Sequence, residues 1–313
     1  MGQGDRAART GSDDAADSLS RFVVEGAAVR GVRVRLAATS TAILAAHPYP
    51  PALARVLAEL CAAAALLAAA LKFDGSLIVQ LAGRGPVRLL VVECNAGPTL
   101  RAMAQWDEAR VRVLGDEATL GALAGGAGDA RLSITLDPRE GGPMYQGIVT
   151  LEAASVATMV EHYLATSEQV ASKLALVASG REVAGVLLQR MPSSQAADDA
   201  TWARVSRALG EAREGAVAAA ARGDAGLAAL FPDDALRVFA PVAPRFACGC
   251  SRQRVEGALR VAGRVEIEEA LAADGQVEVV CEFCARRYVF APDEARALFP
   301  AADAGDVAAA TRH

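Results

Sequence analysis

The residues best suited to chemistry in this 313-residue chain lie near its C-terminus. Of six cysteines, four stand in two close pairs, Cys248-Gly249-Cys250 and Cys281-Glu282-Phe283-Cys284, with 30 residues between the pairs. Two close pairs at that separation can converge on one ion, and four thiolates form the tetrahedral all-sulfur donor set of a zinc site. Gly249 lets the backbone fold tightly between two sulfurs on one metal. A lone C-x-x-C would say little, but C-x-C and C-x-x-C together in one short segment are specific. The spacing therefore predicts one Zn2+ per chain, held by Cys248, Cys250, Cys281 and Cys284.

Two readings of that site are open from the residues alone. In one, the ion is a structural staple. In the other it is the resting state of a thiol switch. All four predicted ligands are oxidisable thiolates, with no histidine among them. Each pair is also close enough to close into a disulfide, with more ring strain for C-x-C. The segment 246–300 has few large apolar residues. Structural zinc contributes about 10–16 kcal/mol to the folding of small domains, so loss of the ion should unfold this one. That is an order-to-disorder route to redox control. Cys61, on the apolar stripe of a helix, and Cys94, at a strand end, are expected to be ordinary buried residues.

Composition limits what surrounds the site. The chain is 53% hydrophobic but only 4% aromatic, which predicts a core of small aliphatic side chains. Thirty Arg and two Lys face 37 acidic residues, for a net charge of −5, which argues against a general nucleic-acid or membrane-surface binder. Residues 1–17 are polar and acidic, with no apolar signal segment. The longest apolar run, Leu60 to Leu71, is twelve residues, short of the roughly 20 that span a bilayer. A cytoplasmic protein with no membrane partner is expected. In that reducing compartment six cysteines favour metal or redox chemistry over a disulfide framework.

The elements that must position the site follow from pattern. Residues 1–17 read as a flexible tail. Phe22 and Val24, then Val29 to Leu36, alternate as short strands with a break at Gly31. His47-Pro48-Tyr49-Pro50-Pro51 is a rigid turn before a helix carrying Leu53, Val56, Leu57, Leu60, Cys61, Leu67 and Leu71 on one stripe. Strands follow over 76–81 and 87–94 around Gly83-Arg84-Gly85-Pro86, and again over 100–106. Gly121 to Asp129 reads as a glycine-rich loop, and 132–136 with 147–151 as strands. Val156, Met159, Val160, Tyr163 and Leu164 mark a second helix, and Thr166 with Gln169 has the spacing to start a further short turn. Residues 173–178 and 183–189 form a hairpin around Ser179-Gly180-Arg181.

This predicts an α+β fold: a core domain of mixed antiparallel sheet and helix over 18–192, a helical linker over 193–243, a small four-cysteine zinc domain over 244–300, and a second flexible tail over 301–313. The linker helices have thin apolar faces, with anchors such as Trp202 and Leu209, so their stability must come from docking on the core.

Two rival functions have weaker support. For an enzyme, only His47, His162 and His313 are histidines, G-x-S-x-G and P-loop motifs are absent, and a closed four-cysteine site leaves zinc no open position. The predicted protein is therefore not an enzyme and has no catalytic residues. For a zinc ribbon that binds nucleic acid, Arg252, Arg254, Arg286, Arg287 and Tyr288 make a basic and aromatic cluster near the ligands. Against it, residues 241–313 carry nine Arg and eleven acidic residues.

With these residues in view, the chain resembles the redox-regulated holdase chaperone family, the 33 kDa heat-shock chaperonins. The resemblance runs from about Phe22 to Phe299. It is carried by Val29-Arg30-Gly31, His47-Pro48-Tyr49-Pro50, Leu71-Lys72-Phe73-Asp74-Gly75, Gly85-Pro86-Val87, Tyr145-Gln146-Gly147-Ile148-Val149 and Ser167-Glu168-Gln169, then by both cysteine motifs with Tyr288 and Phe290 behind them. The resemblance implies an ATP-independent holdase, inactive while the four cysteines bind zinc. Oxidation then forms the disulfides Cys248–Cys250 and Cys281–Cys284, releases zinc and unfolds the linker, and dimers hold unfolding client proteins.

Overall fold

The computed structural model describes residues 16–299, apart from 72–73, 127, 140, 151–154 and 194. The tails expected over 1–17 and 301–313 lie outside these, except Ala16 and Asp17. The chain divides into two compact units, 1–247 and 248–313.

In the first unit the chain runs β1 (Ser18–Val24), β2 (Val29–Leu36), α1 (Ala38–Leu44), α2 (Pro51–Ala70), β3 (Gly75–Gly83), β4 (Val87–Asn95), β5 (Thr99–Trp106), α3 (Glu108–Leu114), α4 (Leu120–Ala124), β6 (Ala130–Pro138) and β7 (Tyr145–Thr150). It continues through α5 (Val156–Thr166), β8 (Ser172–Ser179), β9 (Glu182–Arg190), α6 (Ala196–Gly210), α7 (Glu214–Arg222), α8 (Asp224–Leu230), β10 (Leu236–Val238) and β11 (Arg245–Phe246). Two sheets result, of order β10-β1-β2-β9-β8 and β11-β5-β4-β3-β6-β7. Pairing is antiparallel except where β11 joins β5. The fold is α+β, as its alternating strands and turn residues require.

Helix α2 packs against strands of both sheets. That explains its composition, since a helix covered over most of its surface keeps only a narrow polar edge, here Arg55 and Glu59. It is also longer than the twelve-residue apolar run suggests, because Pro51 occupies its first turn, where the missing N–H costs nothing. By length and composition α2 is long and apolar enough to cross a membrane, yet 72% of that stretch is buried inside the unit.

Several local expectations change. Gly31 does not break a strand; it lies within β2 directly opposite Phe22. A Cβ on Gly31 would sit 2.1 Å from the Phe22 ring, so the glycine is the space that ring fills. Gly121 to Asp129 is not simply a loop, because its start is helix α4, capped by the Thr119 hydroxyl. Thr166 and Gln169 start no helical turn; Gln169 takes φ +54 and the chain enters β8. Helix α1 went unpredicted. Its own N-cap is Ala37, and the missing cap comes from Asp17, whose carboxylate accepts from the N–H groups of Ala37, Ala38 and Thr39 at 2.5–2.9 Å.

Residues 193–243 are helical over α6, α7 and α8 and then return as β10 on β1. By its contacts this segment belongs to the first unit. Val205, Leu209, Val217, Leu227 and Phe231 form a second apolar cluster with Phe22, Val24, Val29, Val186 and Leu188 of the sheet. Polar anchors run through the same contact. Buried Arg33 donates to the Ala220 carbonyl at 3.3 Å and pairs with Asp224, while buried Asp198 accepts from the Ala28 N–H at 2.9 Å.

The second unit comprises α9 (Arg252–Ala262), α10 (Arg264–Asp274), β12 (Val277–Val280), β13 (Arg287–Phe290) and α11 (Pro292–Ala297). The two strands form an antiparallel hairpin. Its core is small: Val255, Leu259, Ile267, Leu271, Val277, Tyr288, Phe290 and Ala295.

Candidate metal centre

The two cysteine pairs reach the centre by different local structures. Cys248 and Cys250 lie in irregular backbone just before α9. The next residue, Ser251, starts that helix, and its hydroxyl accepts from the Arg254 N–H at 3.3 Å. Cys281 and Cys284 lie in the turn between β12 and β13. There the Ala285 N–H donates to the Cys281 carbonyl at 2.8 Å, and the Cys281 N–H donates to the Arg286 carbonyl at 2.9 Å. Ala285 holds φ +56 to close this turn, a conformation that costs a residue with a Cβ about 1–2 kcal/mol. Both sulfurs of the second pair thus project from one tight turn.

The four Sγ atoms all lie within 4.8 Å of one another. Cys248 and Cys281 are 3.7 Å apart, and Cys250 and Cys284 are 3.4 Å apart. A tetrahedron of sulfurs at the zinc–thiolate distance of about 2.3 Å has edges of about 3.8 Å. The cluster therefore fits a metal ion in size and in donor chemistry. All four cysteines are half-buried, within reach of a small oxidant.

Electrostatics favours a cation as well. Burial pushes the Cys248 thiol up, and pushes Cys284 up to about 12 with its neighbouring sulfurs adding to the effect. Burial raises Cys250 too, but hydrogen bonds from the Tyr288 hydroxyl, Cys284, Cys248 and Cys281 outweigh it and bring that thiol down to about 7. Cys250 is thus the favoured thiolate, while burial resists ionisation of Cys248 and Cys284. A divalent ion removes that resistance.

Tyr288 is the participant that sequence reasoning misplaced. The rival nucleic-acid reading makes it a stacking candidate; it is 8% exposed, and its hydroxyl donates to Cys250 Sγ at 3.2 Å. The strand alternation on β13, with Tyr288 and Phe290 buried and Arg287 and Val289 exposed, was the available signal. Other members of the basic cluster are engaged within the unit. Arg252 lies 4.1 Å over the Phe290 ring, donates to the Val289 carbonyl at 3.0 Å and pairs with Glu294 at 3.0 Å; Arg287 pairs with Glu278.

Elsewhere, Cys61 and Cys94 are buried in the first unit. Burial pushes both thiols up, Cys94 to about 12. His47 packs edge-on against Tyr49 at 5.6 Å and His162 is exposed on α5, while His313 lies outside the described residues. The stretches at Gly83–Gly85 and Gly125–Gly126 are turns that abut, since a Cβ on Gly85 would lie 2.3 Å from the Gly125 nitrogen.

A family model described as Hsp33 protein matches residues 17–291. The chain belongs to the Hsp33 family. It is 41% identical over 297 residues to the 33 kDa chaperonin of Chromobacterium violaceum, covering 95% of this chain and 97% of that one. It is 38% identical to the 33 kDa chaperonin of Neisseria gonorrhoeae, over 91% of this chain and 92% of that one. Among solved structures, the Hsp33 homologue of Thermotoga maritima superposes with a TM-score of 0.76 at 20% identity, over 90% of this chain and 97% of that one, a likeness of fold. The names of its Hsp33 relatives support a chaperone function for this chain.

Proposed function

We propose that this Hsp33 family member is a redox-regulated, ATP-independent holdase of the cytoplasm, not an enzyme, resting with one Zn2+ on Cys248, Cys250, Cys281 and Cys284. The observation that carries the reading is the convergence of four half-buried thiols in a unit whose own apolar core is small. When bound, zinc supplies four sulfur bonds that tie the C-x-C segment to the β12–β13 turn.

The rest is the chemistry of the chain. Peroxide takes two electrons from each thiolate pair and, with two protons from solvent, leaves as two waters; hypochlorous acid takes them with one proton and leaves as chloride and water. Cys248 bonds to Cys250, and Cys281 to Cys284. Sulfur in a disulfide is a poor ligand, so the two segments are no longer tied and the unit loses its principal stabilisation. Helices α6–α8 are the elements that follow, acting as the linker between core domain and zinc domain. Their apolar faces are thin, and the surface they cover on the sheet includes Phe22, Val186 and Leu188. Exposure of that surface gives unfolded clients an apolar site, and in the oxidised state two copies pair as a homodimer.

Treating purified reduced protein with hypochlorite, or with peroxide at elevated temperature, tests this. A chromogenic chelator follows zinc while light scattering follows an unfolding client. Zinc loss with client protection only after oxidation is the expected result. Zinc loss with no gain in holding activity makes the site a structural staple.

A further inference from the structure

Away from the cysteines, the first unit contains a cavity of about 650 Å3 on the α2 side of the five-stranded sheet. Its volume lies in the range of small-molecule sites. Ala65 and Ala68 from the end of α2 line it, with Phe239 and Val242 from the chain after β10. Both are exposed, at 46% and 48%.

Two arginines line its rim, Arg21 exposed and Arg30 half-buried. Arg21 stands opposite Val32 and Arg30 opposite Val23, so the two are diagonal neighbours on one face of the β1–β2 pair. Like charges so placed repel unless something answers them. The partners they have are neutral. Arg30 Nε and Nη2 donate to Gln189 Oε1, at 3.0 and 2.7 Å, and Arg21 Nε donates to the Ala69 carbonyl at 2.7 Å. Among the described residues neither makes an ion pair. Burial and the charge of Arg21 both lower the pKa of Arg30, as expected where a cation lacks a counterion. The C-terminal dipole of α2 offsets part of the charge on Arg21, which leaves the pair suited to one negative charge rather than two.

The geometry points to a binding site for an amphipathic carboxylate, its headgroup between Arg21 and Arg30 and its alkyl chain against Ala65, Ala68, Phe239 and Val242. The inference is independent of the cysteine chemistry, because every residue it uses lies in the first unit.

Titration calorimetry of the reduced full-length protein with dodecanoate, below its micelle-forming concentration, is the test. One saturable site per chain is expected. Arg21→Gln and Arg30→Gln should each weaken binding by roughly tenfold, since a charge-assisted bond is lost, and dodecanol should bind weaker by a similar factor. Ala68→Phe, which fills the cavity, should abolish binding; the two arginine variants keep the test decisive if it misfolds. Absence of saturable binding up to about 1 mM overturns the proposal. So does equal affinity for dodecanol, or affinity unchanged in both arginine variants.

Discussion

In the unit over 1–247, α2 buries 14 of its 20 residues between two sheets, and Cys61 is one of them. In the unit from 248 onward, eight apolar side chains make up the core, with Cys250 and Cys281 packed against it. The same residue type is a filler in one place and the proposed staple in the other. The difference is surface to volume. A large domain removes enough apolar area from water to fold by burial, whereas a module of this size needs a staple. It follows that the sheets and α2 of the first unit should resist redox conditions, while the second unit, and with it the cover of α6–α8, should depend on them.

The sharpest way to break that contrast is to remove the metal. Zinc chelation, or Cys250→Ser with Cys281→Ser, should forfeit on the order of 10 kcal/mol of folding free energy in the second unit and unfold it. Hydrogen exchange should then show α9 and α10 unprotected while α2 stays protected. In the same sample Cys248 and Cys284 should alkylate and Cys61 and Cys94 should not. Protected α9 and α10 amides would mean the small core suffices by itself.

The converse perturbation is Leu57→Ala, in the fully buried part of α2. It should cost the first unit about 2–5 kcal/mol in urea unfolding. Zinc affinity should stay unchanged. A loss of zinc affinity would couple what the comparison keeps apart.

A third effect separates the units by pH. Burial pushes the Glu59 carboxyl up to about 7, with Arg55 opposing and Glu214 adding to the rise. A folded pKa above the unfolded value means that the native state retains a proton the unfolded chain releases. Stability from this group is therefore full below about 4.5, falls as pH rises, and is lost above about 7. Glu59→Gln should remove that loss, stabilising the protein at about pH 8 by on the order of 1–3 kcal/mol and hardly at all near pH 4. Equal gains at both pH values would remove titration as the cause.

The smallest effect belongs to the turn at the second cysteine pair. Ala285→Gly relieves the left-handed backbone strain and should raise the unit's thermal stability by about 1 kcal/mol, less the entropy glycine adds to the unfolded chain. A loss of stability would show that the Ala285 methyl packs more than it strains.

Much of the fold was legible because its signals are local. The β3–β4 and β8–β9 hairpins were visible in alternation interrupted by Gly83-Arg84-Gly85-Pro86 and by Ser179-Gly180-Arg181. What escaped notice had remote causes. Helix α1 lacks a cap of its own and borrows Asp17, which is 20 residues before Ala37. Gly31 looks like a breaker until Phe22 is placed across from it. Tyr288 looks like a stacking surface until β13 turns it inward toward Cys250.

By itself the sequence singled out the four cysteines that converge, because C-x-C and C-x-x-C spacing in one short segment is specific. It determined the α+β class as well, because strand alternation and helix periodicity are written in neighbouring residues. Tertiary structure alone brought the sulfurs of one pair against those of the other, Cys248 to Cys281 and Cys250 to Cys284. It alone placed Arg21 and Arg30 as diagonal neighbours at the edge of an apolar cavity, and laid α6–α8 over Phe22. Such contacts join residues far apart in the chain, and their energies exist only once the chain has folded to bring them together.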